Sequence, residues 1–280
     1  MNNKKDSLGD RMKRYEYVSR TYLTRRTPVI IRVDGKAFHT FTKGMRKPFD
    51  RVLINVMQET MKSLCENIQG CVFGYTQSDE ITLVLTDYET ITTEAWFGNN
   101  VQKMTSVSAS MATQYFNKYF KREFSRYCRE NLDAPVTEDE REYRESLYIK
   151  FDKALFDSRV FILPKEEVCN CLIWRQQDAT RNSIEAVGQA YFSHKELHKK
   201  TCNQIQDMLL KERNINWNDY SVECKRGSCC VRKEFTEEQY PKDFLENPDA
   251  ESTYIVRKRW VIDKEPPIFT QDREYVERWL

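Results

Sequence analysis

Residues 28–41 read PVIIRVDGKAFHTF and residues 71–85 read CVFGYTQSDEITLVL. In the first, Val29-Ile30-Ile31-Arg32-Val33 is β-branched and mostly apolar, the composition of a buried strand, and it ends at Asp34-Gly35. In the second, Cys71–Tyr75 and Ile81–Leu85 are two short strands joined through Thr76-Gln77-Ser78-Asp79-Glu80, which predicts a hairpin with acids at its tip. Between the two stretches, residues 49–69 place Leu53, Met57, Met61, Leu64 and Ile68 at spacings of 4, 4, 3 and 4, one face of an amphipathic helix. Gly70 follows at a favoured helix-stop position.

Working outward, residues 93–127 form a second helical stretch through Val101, Met104, Val107, Met111, Tyr115 and Phe116. Residues 131–146 are polar and acidic and predict a surface loop. Asp157–Leu163 reads as a fourth strand, stopped by Pro164. The order β-α-β-β-α-β predicts an α+β fold of the ferredoxin-like split type, a four-stranded antiparallel sheet with two helices on one face. Residues 1–165 are the expected core, and residues 166–280 an appended region packed on it. That region predicts helices over 165–181, 182–192 and 194–213, the last opened by an S-x-x-E capping box at Ser193 and Glu196. After Trp217 the pattern predicts hairpins: Val222–Cys224, a turn at Lys225-Arg226-Gly227, Cys230–Phe235, and a strand over Tyr254–Ile262.

Composition narrows the function classes. Lys+Arg 45 against Asp+Glu 43 gives a net charge of +2 over 280 residues, so any nucleic-acid surface comes from local clustering. Only 8 glycines are present, and neither G-x-x-x-x-G-K-[ST] nor G-x-G-x-x-G occurs, so phosphates would be handled without a glycine-built cradle. No apolar run suffices for a membrane span, and the opening MNNKKDSLGDRMKR lacks a signal core, which points to the cytoplasm. The nine cysteines fit buried reduced thiols; Cys224, Cys229 and Cys230 leave a zinc site as a weaker alternative, without a C-x-x-C pair or a nearby His.

Asp34 at a strand end and Asp79 at a hairpin tip would face each other across the centre of a split β-α-β sheet. Two carboxylates with the Gly35 carbonyl suit Mg²⁺, and a two-ion site can stabilise both oxygens of a phosphoryl displacement. Successive N–H groups from Lys36 through Ala37, Phe38 and His39 would cup a triphosphate. Acids at such positions are also ordinary turn formers, and spacing alone leaves both readings open. Lys47, Lys103 and Arg32 are candidates for neutralising phosphate charge. For nucleic acid, the clusters Lys195/Lys199/Lys200, Lys225/Arg226/Arg232/Lys233 and Arg257/Lys258/Arg259 lie among Trp217, Tyr220, Tyr254 and Trp260; a solvated charged face explains them equally well.

RVDGKAFHTF (32–41), Lys47-Pro48, GYTQSDEITLVL (74–85), Lys103, FDSRVFILP (156–164) and WRQQDATRNS (174–183) together resemble the signature motifs of the tRNA(His) guanylyltransferase family, collinearly from about residue 14 to about residue 192. The resemblance implies a polymerase-type palm that adds nucleotides in the 3′–5′ direction to the 5′ end of a tRNA. It implies two Mg²⁺ held by Asp34, Gly35 and Asp79, and ATP or another NTP held by residues 34–39 with Ser78, Lys47 and Lys103. Glu80 matches the acid beside the second aspartate, completing the catalytic set Asp34, Asp79 and Glu80. Arg175, Arg181 and Asn182, with Lys199, Lys200 and Arg226 from the basic clusters, are the RNA-facing candidates; Asp157, Arg159, Trp174 and Asp178 match structural or RNA-facing positions. The family also implies a homotetramer. Where members dedicated to tRNA(His) carry His-Ile-Asn-Asn, this chain has Thr180-Arg181-Asn182-Ser183, which points to the branch that repairs 5′-truncated tRNAs. A nucleotide cyclase on a similar palm and a non-catalytic tRNA-binding protein are the competing readings.

Overall fold

The computed structural model describes residues 7–132, 136–239 and 253–280. Its strands are β1 (Val29–Gly35), β2 (Cys71–Gln77), β3 (Glu80–Leu85), β4 (Phe156–Ile162), β5 (Ser228–Gln239) and β6 (Thr253–Asp263). They form one antiparallel sheet in the order β4-β1-β3-β2-β5-β6. The first four strands have the expected split β-α-β-β-α-β arrangement, and β5 and β6 widen it. Only Ser228–Cys230 pair with β2, so the rest of β5 runs with β6 as a two-stranded ribbon beyond the sheet.

One face of the sheet carries α3 (Arg51–Asn67) and α4 (Val101–Glu130). Val29, Ile31 and Val33 of β1 and Ile81, Leu83 and Leu85 of β3 point to them and pack with Met57, Met61, Leu64 and Phe116. Alternate residues point the other way: Ile30 and Val84 pack against Val168, Cys169 and Leu172 of α6 (Lys165–Tyr191). Each such large apolar side chain contributes about 2 kcal/mol by leaving water. The same alternation sends Arg32, Asp34 and Glu80 toward the α6 side, which places ionic chemistry at one end of that face.

α3 begins where Asp50 caps it, its carboxylate accepting from the Leu53 N–H at 3.1 Å and the Arg46 N–H at 3.0 Å. α3 ends at Asn67 with Ile68 extended as its cap, so Gly70 (φ +78°), expected to close the helix, instead makes the turn into β2. Four further expectations need correction. The acidic stretch over 131–146, of which 133–135 lie outside the described residues, contains α5 (Glu138–Tyr148), capped by Thr137 and held by buried Tyr143 and Leu147. The helices expected over 165–181 and 182–192 are one continuous α6. The helix expected over 194–213 is two, α7 (His194–Leu197) and α8 (Cys202–Arg213), because Thr201 and Gln204 form a second capping box. The strand expected at Val222–Cys224 is instead α9 (Val222–Arg226). The remaining short helices are α1 (Ser7–Val18), α2 (Phe38–Phe41) and α10 (Glu274–Glu277). Among the described residues, no helix is long and apolar enough to cross a membrane.

Candidate active site

β1 and β3 pair in the register Asp34↔Glu80, and the Gly35 N–H donates to the Asp79 carbonyl at 3.1 Å. That hydrogen bond locks the hairpin tip against the end of β1 and brings Asp34 beside Asp79. Burial raises the Asp79 carboxyl above its ordinary range; its own main chain and the Ser78 hydroxyl (3.0 Å) oppose this, and the Asp34 charge adds to it. The one cation near Asp34 among the described ion pairs is Arg159, at 3.8 Å.

The turn after β1 depends on glycine. A Cβ on Gly35 would lie 2.3 Å from the Phe38 ring, so only glycine lets the chain fold back this sharply. Ala37 then takes a left-handed conformation (φ 56°) and α2 starts. Lys36 spends its N–H on the Leu155 carbonyl, so it leaves the expected amide cup; the N–H groups of Ala37, Phe38 and His39 find no acceptor among the described residues. The Phe38 ring takes no part in the cup, being buried against Phe41, Phe116 and Phe156. The His39 ring meets the Thr40 hydroxyl at 3.0 Å.

These groups line a cavity of about 420 Å³ with Gly35, Ala37, His39, Ser78 and Asp79 on its wall. Ser78 also lines two adjoining cavities. One, of about 220 Å³, holds Arg46, Lys47, Ala186 and Gln189. The other, of about 160 Å³, is bounded by Phe49, Ile54, Asn182 and Glu223. A larger groove of about 810 Å³ lies along α4 near Lys118, Lys121 and Asp152; it holds neither member of the acid pair and is not the chemical centre.

The expected residues divide. Asp34, Gly35, Ala37, His39, Ser78 and Asp79 come together, and Lys47 lies in the adjoining cavity. Lys103 does not join them. Thr113 of α4 bonds the Phe156 N–H at the site end of the sheet (3.1 Å), and Lys103 lies ten residues earlier, about 15 Å back along the helix, over the Phe97 ring. Glu80 is not a free third acid: Arg175 Nε donates to it at 2.7 Å and Arg32 Nε lies 3.9 Å away. Arg175 is buried, bonded also to Asp178 at 2.8 Å and stacked on Trp174, so it cannot contact RNA in this state. Arg181 is exposed but pairs with Asp178. The Arg226 Nε is buried without a partner. Lys199 and Lys200 are exposed and line a separate recess. Sequence reading missed Thr42, Leu53, Ala186 and Gln189 as lining residues; small, aliphatic and uncharged amide side chains form no motif that points to a site.

Two carboxylates and a main-chain carbonyl are the hard-oxygen set on which Mg²⁺ rests when phosphates and water supply its other ligands. The placement of Asp34 at the end of β1 against the hairpin tip that carries Asp79 fits such an ion. Among the described residues no group of three or more His, Cys, Asp or Glu is placed to hold a metal, which also leaves Cys224, Cys229 and Cys230 without support as a zinc site; all nine cysteines are free thiols.

Residues 9–164 match the family described as Thg1: tRNAHis guanylyltransferase. The chain is 43% identical to a bacterial tRNA(His) guanylyltransferase (Thg1)-like protein solved in complex with ATP, with 98% of each chain covered and a TM-score of 0.75. A bacterial Thg1-like protein in complex with GTP is 41% identical over 98% of this chain and 99% of that one, with a TM-score of 0.71. The tRNA(His) guanylyltransferase of Debaryomyces hansenii is 26% identical over 239 residues, 79% of this chain and 80% of that protein. With the acid pair meeting at the end of a split β-α-β-β-α-β sheet and these likenesses spanning most of its length, the chain belongs to the Thg1 (tRNAHis guanylyltransferase) family of nucleotidyltransferases.

Proposed function

We propose that this protein extends the 5′ end of tRNA in the 3′–5′ direction, with the opposite strand choosing each nucleotide. The observation that carries the reading is the convergence of Asp34 and Asp79 beside the free N–H groups of Ala37, Phe38 and His39. Asp34, Asp79 and the Gly35 carbonyl would hold Mg²⁺, which when bound supplies charge neutralisation to triphosphate oxygens.

Two displacements at phosphorus use one pocket. An oxygen of the tRNA 5′-monophosphate attacks the α-phosphorus of ATP; the new P–O bond forms as the bond to pyrophosphate breaks. The 3′-hydroxyl of an incoming NTP then attacks the 5′ phosphorus of the RNA, AMP leaves, and the hydroxyl proton passes to solvent. In both, the Ala37–His39 amides hold the triphosphate, Lys47 offsets its charge, and the fixed hairpin tip orients it. The segment Thr180–Ser183 supports repair over dedicated G addition: Thr180 stands where a histidine would, and its hydroxyl is spent on the Gln176 carbonyl one turn back in α6, at 2.9 Å.

The test supplies a 5′-monophosphorylated tRNA lacking its first nucleotide, with ATP, the four NTPs and Mg²⁺. We expect extension by the complementary nucleotide, and a loss of at least about a thousandfold in Asp34→Ala or Asp79→Ala with tRNA binding retained. Near-normal extension by either variant, or cyclic nucleotide formed without RNA, contradicts the reading.

A further inference from the structure

We propose that the corner between α7 and α8 is a phosphate-binding site that takes the sugar–phosphate backbone of the RNA whose end enters the Asp34–Asp79 pocket. This rests on the end-extension reading and adds a path by which the RNA reaches it.

The structure sorts the basic clusters by whether their charge is already neutralised. In the β5–β6 ribbon, Arg257 and Arg259 pair with Glu237, and Lys258 pairs with Glu234 at 3.2 Å. On α6, Arg175 and Arg181 share Asp178. Lys225 has no acid partner but is buried, its ammonium donating to the Asn218 carbonyl, so it is not presented to a polyanion. Lys195, Lys199, Lys200, Arg226, Arg232 and Lys233 of these clusters, with Lys47, enter no ion pair among the described residues; of these, Lys47, Lys199 and Lys200 line cavities beside α6, where their charge is available to a polyanion.

Lys199 and Lys200 line a recess of about 220 Å³ with His194, His198 and Gln189. The two imidazole centroids lie 6.2 Å apart, and the one acid on the wall is Glu185. Lys199 takes φ +61°, a left-handed conformation that residues with a Cβ seldom adopt, and this places two consecutive lysines at the bend. Capping boxes on each side, Ser193 with Glu196 and Thr201 with Gln204, hold the corner in shape.

The recess meets the cavity beside the reaction pocket at one residue, Gln189. Asn182, Ala186 and Gln189 lie at i, i+4 and i+7 on α6, one face of the helix about 10 Å long. Asn182 and Ala186 line the cavity that reaches Ser78, Ala186 and Gln189 line the Lys47 cavity, and Gln189 also lines the lysine corner. Lys47, Lys199 and Lys200 thus lie along the Asn182–Gln189 face of α6 that leads from the hairpin tip to the corner. A free triphosphate is already served by the amides near Gly35; a row of cations of this extent suits a chain of phosphates.

The experiment compares the full-length protein with Lys199→Glu/Lys200→Glu and with Lys195→Glu, an exposed neighbour off the recess wall. Filter binding of 5′-monophosphorylated, 5′-truncated tRNA is measured from about 50 to 200 mM salt, with ATP binding and extension at saturating tRNA in parallel. In the double variant we expect at least about a tenfold loss of tRNA affinity and a salt slope shallower by about 1.5, for two phosphate contacts. ATP binding and extension at saturating tRNA stay near wild type, and Lys195→Glu stays near wild type throughout. Unchanged affinity and slope in the double variant, an equal loss in Lys195→Glu, or a parallel loss of ATP binding would overturn the proposal; the last assigns the recess to free triphosphate. If the wild-type protein binds the tRNA with this dependence on Lys199 and Lys200 yet never extends it, the corner stands and the end-extension reading fails.

Discussion

Asp79 and Glu80 are neighbours in sequence with different surroundings. The first stays beside Asp34 at the pocket wall; the second turns under the sheet to Arg175 and Arg32. Burial raises the Glu80 carboxyl above its usual range, and the two arginines oppose it. Removing Arg175 leaves the buried Glu80 with only the more distant Arg32, whereas removing both leaves only the half-buried Arg32 without its acid. Arg175→Met should cost about 3–5 kcal/mol in urea denaturation, and Arg175→Met with Glu80→Gln should recover most of that loss. A loss in the double variant equal to the sum of the losses in Arg175→Met and Glu80→Gln alone would show that the pair is not coupled. The acid pair was legible in the sequence because a strand end and a hairpin tip are local patterns. The Glu80–Arg175 bond was not, because it joins residues 95 positions apart on two elements whose packing no local pattern encodes.

At the scale of elements, the strands, α3 and the helical run of α4 follow from periodicity, since each buries a regular apolar stripe. The elements that escaped are short or polar. α5 buries only Tyr143 and Leu147, and the T-x-x-E pattern at 137–140 that opens it is passed over when the stretch is read as a loop. α9 is a single turn followed by Gly227, held by contacts that come from α3: Glu223 accepts from Gln58 at 2.6 Å and pairs with Arg51. Burial pushes the Glu223 carboxyl up, but the bonds from Arg51 and Gln58 outweigh it and leave the group below its ordinary 4.5. A carboxyl depressed in the folded state contributes stability above its unfolded value and loses it as pH falls through the folded one. The denaturation midpoint should therefore drop below about pH 4.5, and Glu223→Gln should drop less steeply over that range. Identical pH profiles for the two proteins would remove Glu223 from the α3–α9 tie.

Across the whole molecule, one six-stranded sheet organises everything else. Its α3–α4 face is a closed apolar layer, and its α6 face combines an apolar half with the ionic end that carries Asp34 and Glu80. The β4-β1-β3-β2 order follows from the alternation of elements, but the attachment of β5 to β2 does not, since three residue pairs decide it. The central claim concerns one point on this sheet: Asp34 and Asp79 act together as the seat of a divalent cation beside a triphosphate. Titration of Mn²⁺ by electron paramagnetic resonance, with a non-hydrolysable ATP analogue present, tests it most directly. The wild-type protein should bind Mn²⁺ together with the analogue, and Asp79→Asn should lose at least about tenfold in Mn²⁺ affinity while remaining folded. Wild-type Mn²⁺ affinity in Asp79→Asn would contradict the account.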